Sequence, residues 1–119
     1  MRVLVTGAGG LVGSALVGTG QVFGLDRTEL DITDSAAVGR LLDSDKPTAI
    51  INAAAQASVD QADADPAWTG RVNGEAPGDL ARMAAHRGVR FVHLSTDYVL
   101  DDPERDRLTE DLEPRPRSL

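Results

Sequence analysis

From Thr6 to Gly13 the chain reads TGAGGLVG, a TGxxGxxG spacing placed between a β-branched run and a segment of helical spacing. This restricts the fold tightly, because each glycine has a physical task. Gly7 makes the sharp turn out of a strand. Gly10 lets the backbone approach a diphosphate with no side chain in the way, and Gly13 lets the first helix pack closely on a sheet. The helix start then offers unpaired N–H groups to an anion. Similar glycines also occur in turns that merely join strand to helix, so the context decides. Here Asp26 closes the next strand-like run about twenty residues on, where a carboxylate accepts hydrogen bonds from an adenosine ribose. Arg27 follows at once. A guanidinium there pairs with a ribose 2′-phosphate or is simply a solvated surface charge. Either nicotinamide cofactor, NADP or NAD, fits this pattern, and dual use is the expectation.

Hydrophobic periodicity supplies the rest of the architecture. Residues 2–6, 21–25, 48–53 and 89–95 read as strands, and 30–32 as a short additional one. Residues 11–17 and 34–42 read as helices, the second capped by Asp34 or Thr33. Asp65-Pro66 starts a helix that runs to Arg87, with Gly88 as its stop. Pro77 interrupts it, since proline has no N–H for the carbonyl of Asn73, and a kink is expected there. Alternating strands and helices imply parallel βαβ units with right-handed crossovers. The expected class is α/β: a Rossmann-like, doubly wound parallel sheet in three layers that stops after about five strands. Residues 1–100 form the dinucleotide-binding domain, and 101–119 form a charged, proline-containing loop or tail.

Composition narrows the function. A chain of 119 residues that is 41% apolar has room for one hydrophobic core. A formal net charge of −7 argues against a nucleic-acid partner, whose phosphates it would repel. There is no cysteine, so a thiolate nucleophile, a disulfide framework and a cysteine zinc site are excluded, and no metal is expected. A strand starting at residue 2 leaves no place for a signal peptide, and no apolar run reaches the ~18–20 residues that span a bilayer. A cytoplasmic protein without membrane contact is the expectation.

Five stretches carry a resemblance to a known family: MRVLVTGAGGLVGSAL, LDRTELDITD, INAAAQASVDQAD, VN and VHLSTDYVLDD. In order and spacing the chain resembles the dTDP-4-dehydrorhamnose reductases of the extended short-chain dehydrogenase/reductase group, from Met1 to about Pro116. The resemblance implies an NAD(P)H-dependent reductase that reduces the 4-keto group of a nucleotide-linked 6-deoxysugar. It implies that Gly10, Leu11 and Val12 contact the pyrophosphate and Asp26 the ribose, while Asp31 and Ile32 flank the adenine. Ala53, Ala54 and Ala55 would line the cofactor at the end of the central strand, although three alanines are equally ordinary core packing. Thr96 would hydrogen-bond the reacting sugar oxygen, with Asp97 and Tyr98 beside the substrate. Without the resemblance, Thr96 and Asp97 are ordinary turn residues. Asn73 stands where such enzymes place an asparagine near the active centre, and a helix-surface asparagine is the alternative.

One expected element is absent. Short-chain reductases deliver a proton from a tyrosine made acidic by a lysine four residues on, in the pattern YxxxK. This sequence has one tyrosine, Tyr98, and one lysine, Lys46, in the wrong order. In the family, that tyrosine would follow the segment TEDLEPRPRSL directly. Two alternatives to a reductase therefore stand: a non-catalytic dinucleotide-binding or regulatory subunit, and a short relative with non-redox small-molecule chemistry. A strand at 89–95 with an open edge invites a second copy or a partner chain. His86, His93 and Trp68 read as structural residues.

Overall fold

The computed structural model describes residues 1–100 and 107–116. Its centre is Val3–Thr6 (β1), buried along its whole length because it has a strand on either side and helices on both faces. Phe23–Leu25 (β2) pairs with one edge of β1, and Ala49–Asn52 (β3) with the other. Arg90–His93 (β4) then pairs with β3, so the order is β2-β1-β3-β4, all parallel. The chain moves outward from β1 to β2, then crosses back to β3. This reversal beside β1 is the switch point where ligands bind in open α/β sheets.

Right-handed crossovers put the connecting helices on opposite faces of the sheet. Leu11–Val17 (α1) packs on β1 and β2. Ser35–Asp45 (α2) and Ala76–His86 (α5) pack together on the other face. There Leu4 and Ile50 from the sheet meet Val38 and Leu42 of α2 and Leu80 and Ala84 of α5, all buried. Asp34 caps α2, its carboxylate accepting from the Ala37 N–H at 2.9 Å. Val59–Ala64 (α3) and Pro66–Gly70 (α4) lie between β3 and α5, with Asp65 capping α4 ahead of Pro66.

Three expectations change. Residues 30–32 form no strand. Leu30 and Ile32 are buried against the core, but Asp26 and Asp31 each fold the backbone after them into a turn, drawing N–H groups onto carboxylates and away from a ladder. The sheet is four-stranded among the described residues. The long helix expected from Pro66 to Arg87 is in three parts: α4, a wide π-helical turn at Arg71–Glu75, then α5. The N–H of Ala76 reaches back five residues to the Arg71 carbonyl. The helix thus widens just ahead of Pro77, which cannot continue the ordinary ladder. Helix α3 was not legible, since its polar run VDQADA lacks an apolar stripe. Of the segment expected as a tail, 101–106 and 117–119 lie outside the described residues. Residues 107–116 hold neither helix nor strand, and Arg115 donates its N–H to Val99 at 2.8 Å.

Candidate functional site

The glycine turn is shaped by two close approaches. Gly7 has a left-handed φ of 73°, and a Cβ on it would lie 2.6 Å from the backbone of Ala54. A Cβ on Gly13 would lie 2.8 Å from Ala8 Cα and closer still to the Gly7 carbonyl oxygen. Gly24 in β2 has a related role that the sequence reading missed, because a side chain there would strike Ala8 at 2.6 Å and Val17 more closely. Gly10 differs. A Cβ on it would meet only the Gly7 oxygen, at 3.4 Å, so the protein's own packing does not require glycine. What its missing side chain leaves open is the space in front of the turn. Gly10 is also the N-cap of α1 and provides no side-chain acceptor, so the first N–H groups of that helix lack a capping partner.

A cleft of about 380 Å³ opens at this point. Among the residues singled out from sequence, Gly7, Gly10, Asp26 and Arg27 line it. So do Asp31 and Ile32 from the turn after β2, and Ala53, Ala54 and Ala55 beyond β3. Leu11, Val12 and Gly13 do not line it, and Leu11 is 90% exposed. Sequence reasoning missed Thr28, Gln56 and Trp68 on its walls. Trp68 stands beneath the Arg27 guanidinium, whose carbon is 4.7 Å from the ring centroid, with Arg71 at 6.0 Å. The Arg27–Trp68 contact joins residues more than forty positions apart, and only the tertiary fold brings them together.

Both cleft carboxylates are engaged in their own turns. Asp26 Oδ1 accepts from the Thr28 hydroxyl at 2.6 Å, the Thr28 N–H at 2.7 Å and the Glu29 N–H at 3.2 Å. The Thr28 hydroxyl, then the Thr28 and Glu29 N–H groups, hold this carboxyl below the ordinary value of 3.8 despite an opposing desolvation. Burial pushes Asp31 upward, but its bonds from Thr33 and the nearby Arg27 and Arg71 charges outweigh this and lower it. For Asp26 the sign is that of a depressed acid. Its contribution is complete above 3.8 and is lost as pH falls through the lower folded value. A carboxyl-carbon NMR titration is expected to place the Asp26 midpoint below 3.8, and Thr28→Val is expected to raise it. A midpoint unmoved by that substitution would show that the turn does not hold the charge.

The loop after β3 is held from the π-helical turn. Asn73 Oδ1 accepts from the Gln56 N–H at 2.8 Å, and Asn73 Nδ2 donates to the Gln56 carbonyl at 3.0 Å. This two-point clamp fixes the Ala53–Ala55 wall. Asn73→Ala is expected to cost about 2 kcal/mol, roughly 1 for each bond lost. Amide exchange at Gln56 should accelerate accordingly, and unchanged exchange there would contradict the clamp.

A second cleft, of about 610 Å³, shares Ala54, Ala55 and Gln56 with the first. Asn73, His93, Thr96 and Tyr98 line it, whereas Asp97 does not. The Thr96 hydroxyl oxygen accepts from the Tyr98 N–H at 3.2 Å and caps the short 3₁₀ turn Asp97–Val99. Thr96 therefore faces the cleft and also builds its turn. Behind it, a line of side chains crosses three strand ends. The buried Thr6 hydroxyl donates to Asn52 Oδ1 at 2.5 Å, and Asn52 Nδ2 lies 3.0 Å from His93 Nδ1. With the amide as donor, His93 is the tautomer protonated on Nε2. His86 ends α5, exposed and outside both clefts. Among the described residues, no three or more acids or histidines gather as a metal site. No described helix is long and apolar enough to cross a membrane.

Comparison with known proteins agrees with this geometry. A dTDP-4-dehydrorhamnose reductase of Burkholderia thailandensis is 45% identical over 105 residues, which are 85% of this chain and 35% of that protein. The crystal structure of a dTDP-4-dehydrorhamnose reductase from Clostridium acetobutylicum superposes with a TM-score of 0.92 at 33% identity, covering 99% of this chain and 44% of that one. The Bacillus anthracis dTDP-4-dehydrorhamnose reductase, solved in complex with NADP, gives a TM-score of 0.91 at 29% identity, with 98% and 44% covered. The chain thus spans well under half the length of these relatives. Over residues 1–119 it matches the family described as the RmlD substrate binding domain, and it belongs to that family.

Proposed function

We propose that this chain is the dinucleotide-holding part of an NAD(P)H-dependent reductase whose substrate is a nucleotide-linked 4-keto-6-deoxysugar. The observation that carries the reading is the continuity of the two clefts through Ala54, Ala55 and Gln56. One end is the open glycine turn, suited to a diphosphate, and the other holds a hydroxyl at Thr96. In this reading the backbone around Gly7, Gly10, Leu11, Val12 and Gly13 receives the pyrophosphate. Asp26 and Arg27 meet the ribose, while Asp31 and Ile32 border the adenine. A bound nicotinamide would supply a hydride. Ala53, Ala54 and Ala55 give it a flat wall, Thr96 orients the sugar carbonyl, and Tyr98 borders the sugar, while Asp97 stands in the turn outside the cleft lining.

These 119 residues include no YxxxK pair, so proton delivery is not assigned to any of them. A second reading, in which the chain binds dinucleotide without catalysing, draws on the first cleft alone. The exposed edge of β4 bears on both readings. Val92 is 51% and Leu94 41% exposed, and we place a second copy or a partner chain there; a clean monomer at high concentration in size-exclusion chromatography would contradict it. A cytoplasmic location accords with the absence of cysteine. Calorimetry with NADPH and NADH tests the common core of the proposal, and binding of at least one is expected. Oxidation of NADPH by the 4-ketosugar nucleotide then separates the two readings, with the 119-residue chain expected to turn over far more slowly than a complete reductase. Absence of any dinucleotide binding would overturn both.

A further inference from the structure

We infer that His93 is a ligand-binding residue of the second cleft, whose Nε2–H donates to an uncharged oxygen of the bound molecule, and that a buried line of side chains fixes this donor in place. The inference rests on the sugar-nucleotide reading above and deepens it by naming a group that meets the sugar beside Thr96. Strand register sets the line up. On the sheet face that carries α2 and α5, Leu4, Ile50 and Phe91 stand in register across β1, β3 and β4. Two residues further along the same face come Thr6, Asn52 and His93. At the carboxyl ends of the strands an apolar layer thus gives way to a polar one. Thr6 and Asn52 are fully buried, so their polar atoms need partners within the fold.

Those partners allow one arrangement. The Ala54 N–H only donates, at 3.3 Å, so the Asn52 atom it meets is Oδ1, which also takes the Thr6 hydroxyl. Asn52 Nδ2 then donates to His93 Nδ1 at 3.0 Å, and the ring proton stands on Nε2. The ring also stacks on Phe91, with centroids 6.3 Å apart and planes 9° apart. Tautomer and ring plane are both set before a ligand arrives, which lowers the cost of binding. His93 is exposed and lines the second cleft, with Nε2 on the ring edge away from the Asn52 contact. Among the described residues no Asp, Glu, Lys or Arg lines this cleft, whereas Asp26, Arg27 and Asp31 line the first. A neutral, fixed donor in a cleft without charged walls suits a hydroxyl or carbonyl oxygen; a phosphate draws more from charged partners.

Imidazole ¹⁵N NMR of the 119-residue chain, with NADP⁺ present, reads the contact directly, and His86, outside both clefts, serves as internal reference. The probes are a dTDP-linked 4-keto-6-deoxyhexose and dTDP alone. The sugar nucleotide is expected to shift the His93 Nε2–H signal downfield, and dTDP alone to leave it in place. His93→Phe keeps a ring over Phe91 but offers no N–H. It should weaken the sugar nucleotide roughly three- to tenfold, as the loss of one neutral hydrogen bond implies, and leave dTDP affinity unchanged. His93→Gln, which returns a side-chain N–H, should recover part of that loss. The NMR result on the unaltered chain decides the matter even where the phenylalanine variant is unstable. A sugar nucleotide that binds without moving the Nε2–H signal, or a His93→Phe variant that weakens both probes alike, would overturn the inference while leaving the sugar-nucleotide reading intact. Failure of the sugar nucleotide to bind would overturn both.

Discussion

Gly13→Ala is expected to destabilise the chain by about 3 kcal/mol and to abolish dinucleotide affinity. Two effects compete at this helix position. Alanine is the better helix former, by up to about 1 kcal/mol over glycine. Against this, the added Cβ would sit 2.8 Å from Ala8 Cα and the Gly7 carbonyl carbon, and nearer still to the Gly7 oxygen. All three are backbone atoms of the turn, so no flexible side chain can yield. Overpacking of this kind costs about 1–3 kcal/mol, and the upper end applies where the backbone itself must move. Gly7 is pressed against Ala54 on its other side, so the displacement carries into the wall of the cleft. Sterics should therefore win over helix propensity. Chemical denaturation reads the stability and calorimetry the binding; a Gly13→Ala chain as stable as the parent would show that α1 is not seated on the turn.

Asn52→Ala is expected to cost about 3 kcal/mol and to disturb both clefts at once. Asn52 is fully buried, and its amide accepts from Thr6 and from the Ala54 N–H at 3.3 Å while meeting His93. Truncation leaves the buried Thr6 hydroxyl without its partner and opens a void. An unsatisfied buried donor costs about 1–3 kcal/mol and the lost packing adds to it. His93 would also lose the bond that selects its tautomer. A ¹⁵N NMR spectrum of the parent chain should show His93 protonated on Nε2, and Asn52→Ala should return a mixture of tautomers. A mixture already present in the parent would break the proposed line of side chains.

Much of the site was legible because its physics is local. The glycine spacing, the acid at the end of β2 and the alanines after β3 each follow from a few neighbouring residues, and the structure brings Gly7, Gly10, Asp26 and Ala53–Ala55 to one cleft. The strand at 30–32 failed for an equally local reason, since the turns closed by Asp26 ahead of it and by Asp31 within it win over a β-ladder. The π-helical turn was harder, because proline signals an interruption without saying which carbonyl the neighbouring N–H will take.

Hydrophobic periodicity and glycine chemistry, both carried by adjacent residues, were enough to determine a parallel α/β chain with an anion-ready turn. Only the tertiary structure decided which distant side chains meet: Arg27 on Trp68, Asn73 on Gln56, and Thr6 with Asn52 and His93. Those pairings depend on strand order and on the placement of the helix after β3, to which no short stretch of sequence responds. The cleft is therefore predictable as a place, while the contacts that shape its walls exist only once the sheet has closed the distance between them.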